Sequence, residues 1–258
     1  MTRQRAAAVT LPTPELMLRK ATLARSPVTR AKYAQRGLSH DGKLDQTTRN
    51  MLLRQLYLSH MEGKRFHDAL VIAEQMLSSA VMPDVAHQDA ARACLGLQDP
   101  DRAVSHLRLA SRVSPPTRRA FHLWTLGTVL YFSGRYREAI GALSRAARWG
   151  TTDKPLYRGQ LVLARLSAGE GANLSGQVGA ARERLEEAPC GQGYGQFVLG
   201  ELAYHEGDWS AAERYLTAFL RRTTGGRVAL EVALSAEIAR SRRLLRQIRQ
   251  QKRRRAAG

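Results

Sequence analysis

The sequence predicts an all-α fold, a solenoid of stacked helix–turn–helix units, and three observations predict it. One set of small and apolar residues returns at the same offsets in two stretches, 120–153 and 193–226. The alanines that hold one position of that set, Ala69, Ala103, Ala139, Ala181 and Ala212, stand 34, 36, 42 and 31 residues apart, which is the spacing of a helical-hairpin repeat. The nine prolines are unevenly spread and leave long stretches free for helices.

The elements follow in order along the chain. Residues 1–13 carry basic side chains and no apolar run, and read as a disordered basic N-terminus. Short helices over 14–25 and 27–39 cap the array. A unit over 50–83 is carried by Leu53, Leu56, Tyr57, Ala69, Ala73 and Met76, with Tyr57 in a position otherwise held by a small residue. The unit over 84–117 has Ala90, Ala91, Ala103, Leu107 and Ala110, and Pro115 closes it. The clearest unit, 120–153, has Leu123, Leu126, Gly127, Leu130, Gly134, Tyr136, Ala139, Leu143 and Ala146. A degenerate unit over 155–188 runs from Leu156 to Leu166, crosses a Gly-rich loop at 169–176 and resumes at Ala181, Leu185 and Ala188. The last, 193–226, has Leu199, Gly200, Ala203, Gly207, Trp209, Ala212, Leu216 and Phe219. The last two alanine spacings sum to about two periods, so one irregular unit sits between two regular ones. The array thus spans 14–226. Residues 227–258 form a C-terminal capping helix, amphipathic through Leu230, Leu234, Ile238, Leu245 and Ile248, and a basic tail.

The pattern has a physical basis. Gly127 and Ala139 are small where the two helices of a hairpin cross. Gly134 and Gly207 stand where a first helix ends and a left-handed backbone is cheap for glycine alone.

These offsets resemble the tetratricopeptide repeat (TPR) family at nearly every defining position of 120–153, with Leu123 where Trp is commonest and Leu130 in the Tyr position. The resemblance implies a right-handed superhelical solenoid with N- and C-terminal capping helices, acting as a protein–protein interaction scaffold or adaptor. It implies a concave groove lined by the first helix of each unit. In the two best units the groove positions are Phe121, Trp124, Thr128, Tyr131 and Phe132, and Tyr194, Phe197, Glu201, Tyr204 and His205. Seven of these ten are aromatic in a chain that is 6% aromatic, which points to an apolar or aromatic peptide, or a helix, as the occupant. Two other readings stay open: some of these rings pack between repeats, or the protein's own final helix fills the groove. Trp124 and Thr128 stand where the clamp for acidic chaperone C-termini needs Lys and Asn, so heat-shock co-chaperone function is not implied.

The net charge of +19 is concentrated at the ends. Residues 1–40 hold eight Lys/Arg against one acid, and residues 221–258 hold twelve against two. A nucleic-acid face along the whole body is therefore excluded. The run Arg246, Arg249, Lys252, Arg253, Arg254 and Arg255 is a candidate polyanion site, which makes a factor attached to nucleic acid or an anionic membrane the alternative function. The competing reading is a solvated helix end suited to the helix dipole.

No catalytic, cofactor or metal constellation emerges, and neither an enzyme nor a small-molecule substrate is expected. The seven His are scattered. The stretch Cys190–Gly195 lacks the Gly-Lys-Ser/Thr ending of a phosphate loop, and it follows a helix rather than a strand. Cys190, near a helix start, has no identifiable base beside it, and Cys94 reads as core. Two cysteines make no disulfide framework, and no signal peptide or membrane span is read, so the expected location is cytoplasmic.

Overall fold

The computed structural model describes residues 13–40, 44–174, 176–226 and 228–257. The N-terminal segment expected to be disordered lies, apart from Thr13, outside them.

Two compact units divide the chain after Val81. The first holds α1 (Pro14–Leu23), α2 (Pro27–Leu38), α3 (Gln46–Glu62) and α4 (Phe66–Leu77). The second holds α5 (Pro83–Gly96), α6 (Pro100–Val113), α7 (Pro116–Phe132), α8 (Tyr136–Trp149), α9 (Lys154–Ser167) and α10 (Gln177–Glu187). It continues with α11 (Gly195–His205), α12 (Trp209–Thr223), α13 (Val228–Ala233) and α14 (Ser235–Ala257). Proline stands in the first turn of α1, α2, α5, α6, α7 and α9, where its missing N–H has no intrahelical role. Asp45, Asp99 and Asp208 each cap a helix, accepting from the amides of Thr48, Arg102 and Ala211.

The turn inside each hairpin is a better ruler than the alanines. Its left-handed residues are Lys64, Gln98, Gly134, Gly169 and Gly207. The alanine follows five residues later at Ala69, Ala103, Ala139 and Ala212, but Ala181 follows Gly169 by twelve. The irregularity is thus an insertion within one hairpin, where a short 3₁₀ turn (Gly171–Leu174) precedes α10. Ala181 is only half-buried and does not share the fully enclosed position of the other four; α10 buries Leu185 instead.

The hairpin crossings show why the small residues are needed. A Cβ on Gly127 would lie 2.5 Å from Leu143 Cγ, and one on Gly200 would lie 2.6 Å from Leu216 Cγ. In α3 and α4 the same two positions are held by Tyr57 and Ala73, 1% and 0% exposed. Large and small side chains have changed places there, which conserves volume and accommodates the tyrosine. Ala139, 0% exposed, stands in the same packing layer. Ala139→Leu is expected to overpack the α7–α8 crossing and cost about 1–3 kcal/mol. A urea titration checks this, and an unchanged midpoint would refute the assigned register.

The C-terminal region differs from the single helix expected over 227–250. The chain forms α13, turns at Leu234, and continues as α14. The two helices seat on different partners, α13 on α5 and α14 on α12 and α11, so one straight helix cannot serve both. Ile238, Leu245 and Ile248 are buried as their spacing implied, joined by Leu244, whereas Leu230 stays 41% exposed.

Candidate interaction groove

The aromatic residues expected to line a groove do gather in the second unit, but not as one open strip. Phe121 is 39% exposed, and Trp124, Phe132, Tyr194 and Tyr204 are half-buried. Phe197 is 0% exposed and Tyr131 is 5% exposed, so these two are interior, which corrects their assignment to an accessible surface. Phe197 is enclosed by rings from three sides. Phe132, Tyr194 and Phe219 stand 5.9, 5.8 and 5.4 Å from it, centroid to centroid. Trp124 holds the equivalent position one good unit earlier, yet it lies at the groove wall. It stacks on Tyr157 at 5.8 Å and meets the edge of Tyr194 at 4.9 Å.

A polar ladder ties these rings to the C-terminal helix. Trp124 Nε1 donates to Gln160 Oε1 at 2.7 Å, and Gln160 Nε2 donates to the Tyr194 hydroxyl at 3.4 Å. Tyr194 in turn donates to Glu237 Oε1 on α14 at 3.0 Å. Tyr131 donates to Glu201 Oε2 at 2.9 Å, and Arg240 of α14 closes on the other oxygen of Glu201. Tyr204 donates to Gln247 at 3.1 Å, and Lys252 pairs with Glu213 at 2.6 Å. Burial pushes the Glu237 carboxyl up to about 7, and burial together with the Glu237 carboxylate drives the Tyr194 hydroxyl well above its ordinary value. Burial and then Glu201 do the same to Tyr131. Of the readings left open by the sequence, the last unit therefore follows the one in which the chain's own final helix covers the groove.

What remains open is a cleft of about 490 Å³. Phe121, Trp124, Thr125, Thr128 and Phe132 of α7 form one wall, and Gln88, Arg92 and Leu95 of α5 form another. Leu230, Val232 and Ala233 of α13 and Leu234 border it on the side of the C-terminal segment. Four of the expected groove positions of the 120 unit, Phe121, Trp124, Thr128 and Phe132, thus share one cavity with the C-terminal segment, which no repeat position marks.

An ionic cluster around the buried Asp84 and His122 binds α5 to α7 beside this cleft, and no motif in the sequence announced it. Asp84, 1% exposed, receives Arg118 Nε at 2.7 Å and Nη2 at 2.9 Å. His122 lies with Nε2 3.0 Å from the same carboxylate and Nδ1 3.0 Å from Gln88 Oε1. Burial opposes the Asp84 charge, but Arg118 and His122 outweigh it and hold the carboxyl below its ordinary value. The spacing of 34 residues between Asp84 and Arg118 is one repeat, and it was the available clue.

Other candidate residues are placed as follows. Arg246, Arg249, Lys252, Arg253, Arg254 and Arg255 are all exposed on α14, and of these Lys252 is tied to Glu213. Cys190 lies in a 3₁₀ turn (Pro189–Gly191), and burial pushes its thiol up rather than activating it. Among the described residues no group of three His, Cys, Asp or Glu is placed to hold a metal, and no helix is long and apolar enough to cross a membrane.

The architecture is similar to solved helical-repeat structures. PilF of Pseudomonas aeruginosa aligns over 83% of this chain and 94% of its own, at 20% identity and a TM-score of 0.51. The TPR domain of P58(IPK) aligns over 93% of this chain and 77% of its own, at 11% identity and a TM-score of 0.38. Neither a protein-family model nor a curated protein matches the sequence. With its hairpin register and the likeness to PilF, the chain is, in fold, an all-α helical-repeat protein whose hairpins resemble the tetratricopeptide repeat.

Proposed function

We propose that this protein is an interaction scaffold, with a binding rather than a catalytic role, which takes an apolar or aromatic anchor of a partner protein's peptide or helix into the cleft between α5, α7 and α13. The observation that carries this reading is the lining of that cleft, where Phe121, Trp124 and Phe132 offer ring surface at a size suited to one or two anchor side chains. Phe121 leaves 39% of its surface in water, an exposure that a purely internal packing role does not require. Thr125, Thr128 and Gln88 supply polar groups at the same cavity and fit recognition of a peptide backbone. Of the others that the repeat pattern grouped with these, Tyr131 and Tyr204 tie the last hairpin to the C-terminal helix, and Phe197 packs inside that hairpin. Cys94, buried, and Cys190, half-buried, are not joined in a disulfide, which suits a reducing compartment such as the cytoplasm.

Panning a random peptide library on the full-length protein tests the reading. Enriched peptides should carry aromatic or aliphatic anchors and should compete with one another. Phe121→Glu, which places a charge at the cleft wall, should weaken their binding at least tenfold, or about 1.4 kcal/mol, without changing helicity or melting. Enrichment of peptides that bind Phe121→Glu undiminished would remove the cleft from the mechanism.

A further inference from the structure

From Ile238 to the end the chain carries nine Lys/Arg and no acid. Arg240 and Lys252 are neutralised by Glu201 and Glu213 of the last hairpin. Arg242, Arg243, Arg246, Arg249 and Arg253–Arg255 are exposed, and none makes an ion pair with an acid among the described residues. The two acids of the C-terminal segment are engaged elsewhere: Glu237 is 4% exposed and accepts from Tyr194, and Glu231 accepts from the Gly225 amide.

The register of α14 arranges these charges. Its seam onto the last hairpin is Ile238, Ser241, Leu244, Leu245 and Ile248. Arg242, Arg246, Arg249 and Arg253 stand at i, i+4, i+7 and i+11, on one exposed stripe that runs along the flank of that seam. At 1.5 Å per residue the stripe is about 16 Å long. Like charges three and four residues apart weaken a helix, and no acid among the described residues pairs with these arginines to relieve that repulsion. The helix dipole accounts only for cations in the last turn, whereas Arg242, Arg246 and Arg249 lie two or more turns before Ala257.

The chemistry of the face selects among anionic partners. A helix that lies in a membrane surface inserts an apolar side, but the apolar side of α14 is already buried on the hairpin. Its outward arc offers Ala239, Gln247 and Gln250 between the arginines, with nothing to insert. Duplex nucleic acid, by contrast, presents a phosphate charge about every 1.7 Å of its axis, dense enough to meet each arginine of the stripe. The planar guanidinium fork matches phosphate oxygens. No aromatic residue occurs on α14, so base stacking has no means here. We propose that the exposed arginine flank of α14 is a sequence-independent docking site for the phosphate backbone of duplex nucleic acid, with Arg242, Arg246, Arg249 and Arg253 as the principal contacts. This site is separate from the cleft and stands without it.

The test uses the full chain, a fluorescein-labelled mixed-sequence DNA duplex, and vesicles of phosphatidylcholine and phosphatidylserine in equal parts. Duplex binding should show a slope of log K against log salt of roughly −3 to −4, from four phosphate contacts at about 0.9 each. Replacing the four arginines by Gln should weaken binding at ~50 mM salt by at least about 100-fold and flatten the slope, while replacing them by Lys should keep it. Arg246→Gln alone, with little consequence for folding, should lower the slope by about 0.9. Duplex binding that survives the four Gln substitutions overturns the placement. Absence of duplex binding at ~50 mM salt, or tighter binding to the vesicles than to the duplex, overturns the choice of partner.

Discussion

Phe197→Ala is expected to destabilise the second unit by about 3–5 kcal/mol, the range for removing a fully buried aromatic ring. Phe197 is 0% exposed, and its ring is the meeting point of Phe132 from α7, Phe219 from α12 and Tyr194 at the start of α11. Deleting it removes contacts to two other helices and to the start of its own, and the cavity closes poorly because its neighbours are held in place. Tyr194, for example, is held by Gln160 and Glu237. A urea titration followed by circular dichroism should show a lower midpoint. Phe121→Ala, at the exposed wall of the cleft, should move it by about 0.5 kcal/mol or less, as surface substitutions do. The pair separates packing from recognition, because the two rings lie in the same aromatic group and differ chiefly in burial. Equal destabilisation by both substitutions would contradict the placement of Phe121 at the surface.

Glu201→Ala should release the C-terminal helix from the last hairpin. Glu201 is 0% exposed and accepts from Tyr131 on one oxygen while Arg240 closes on the other. Removing the carboxylate leaves the Tyr131 hydroxyl, on a side chain only 5% exposed, without this acceptor and strips Arg240 of its counter-ion. Breaking a fully buried pair costs about 3–5 kcal/mol; here about 2–3 is expected, because Arg240 keeps 27% of its side chain in water. Hydrogen exchange should report the loss locally, with the amides of α14 losing protection before those of α7 and α8. Arg240→Ala alone should cost less, since it leaves the Tyr131 bond to Glu201 intact, and the double variant should be less destabilised than the two single costs added together. Uniform loss of protection across the second unit would mean that the pair stabilises the core and not the docking of α14.

The hairpins were legible because their determinants are local. A left-handed turn, a small residue at the crossing and an alanine five residues on all act within some twenty residues of chain, and Gly127, Gly134 and Ala139 carry them openly. Even the awkward Tyr57 was interpretable in these terms once paired with Ala73, because volume is conserved across one crossing. Proline at the first turn of six helices marks their starts for the same local reason.

Which aromatic faces water was decided by tertiary structure alone. Trp124 and Phe197 share one repeat position, and no local rule distinguishes them. What differs is the element beyond: α9 and α11 leave Trp124 at the edge of a cleft, whereas Phe132, Phe219 and Tyr194 close over Phe197. The covering of the last hairpin depends on pairs 39 residues or more apart in sequence, Glu201 with Arg240 and Tyr194 with Glu237, whose partners carry no motif. The break at Leu234 has the same origin, since a uniform helical period cannot signal that its two halves will seat on different helices. The sequence by itself determined the repeat, its register and its basic end, because turn and crossing energies are set within one hairpin. The tertiary structure decided the open cleft and the docked helix, because burial belongs to the neighbour a side chain meets and not to the repeat position it holds.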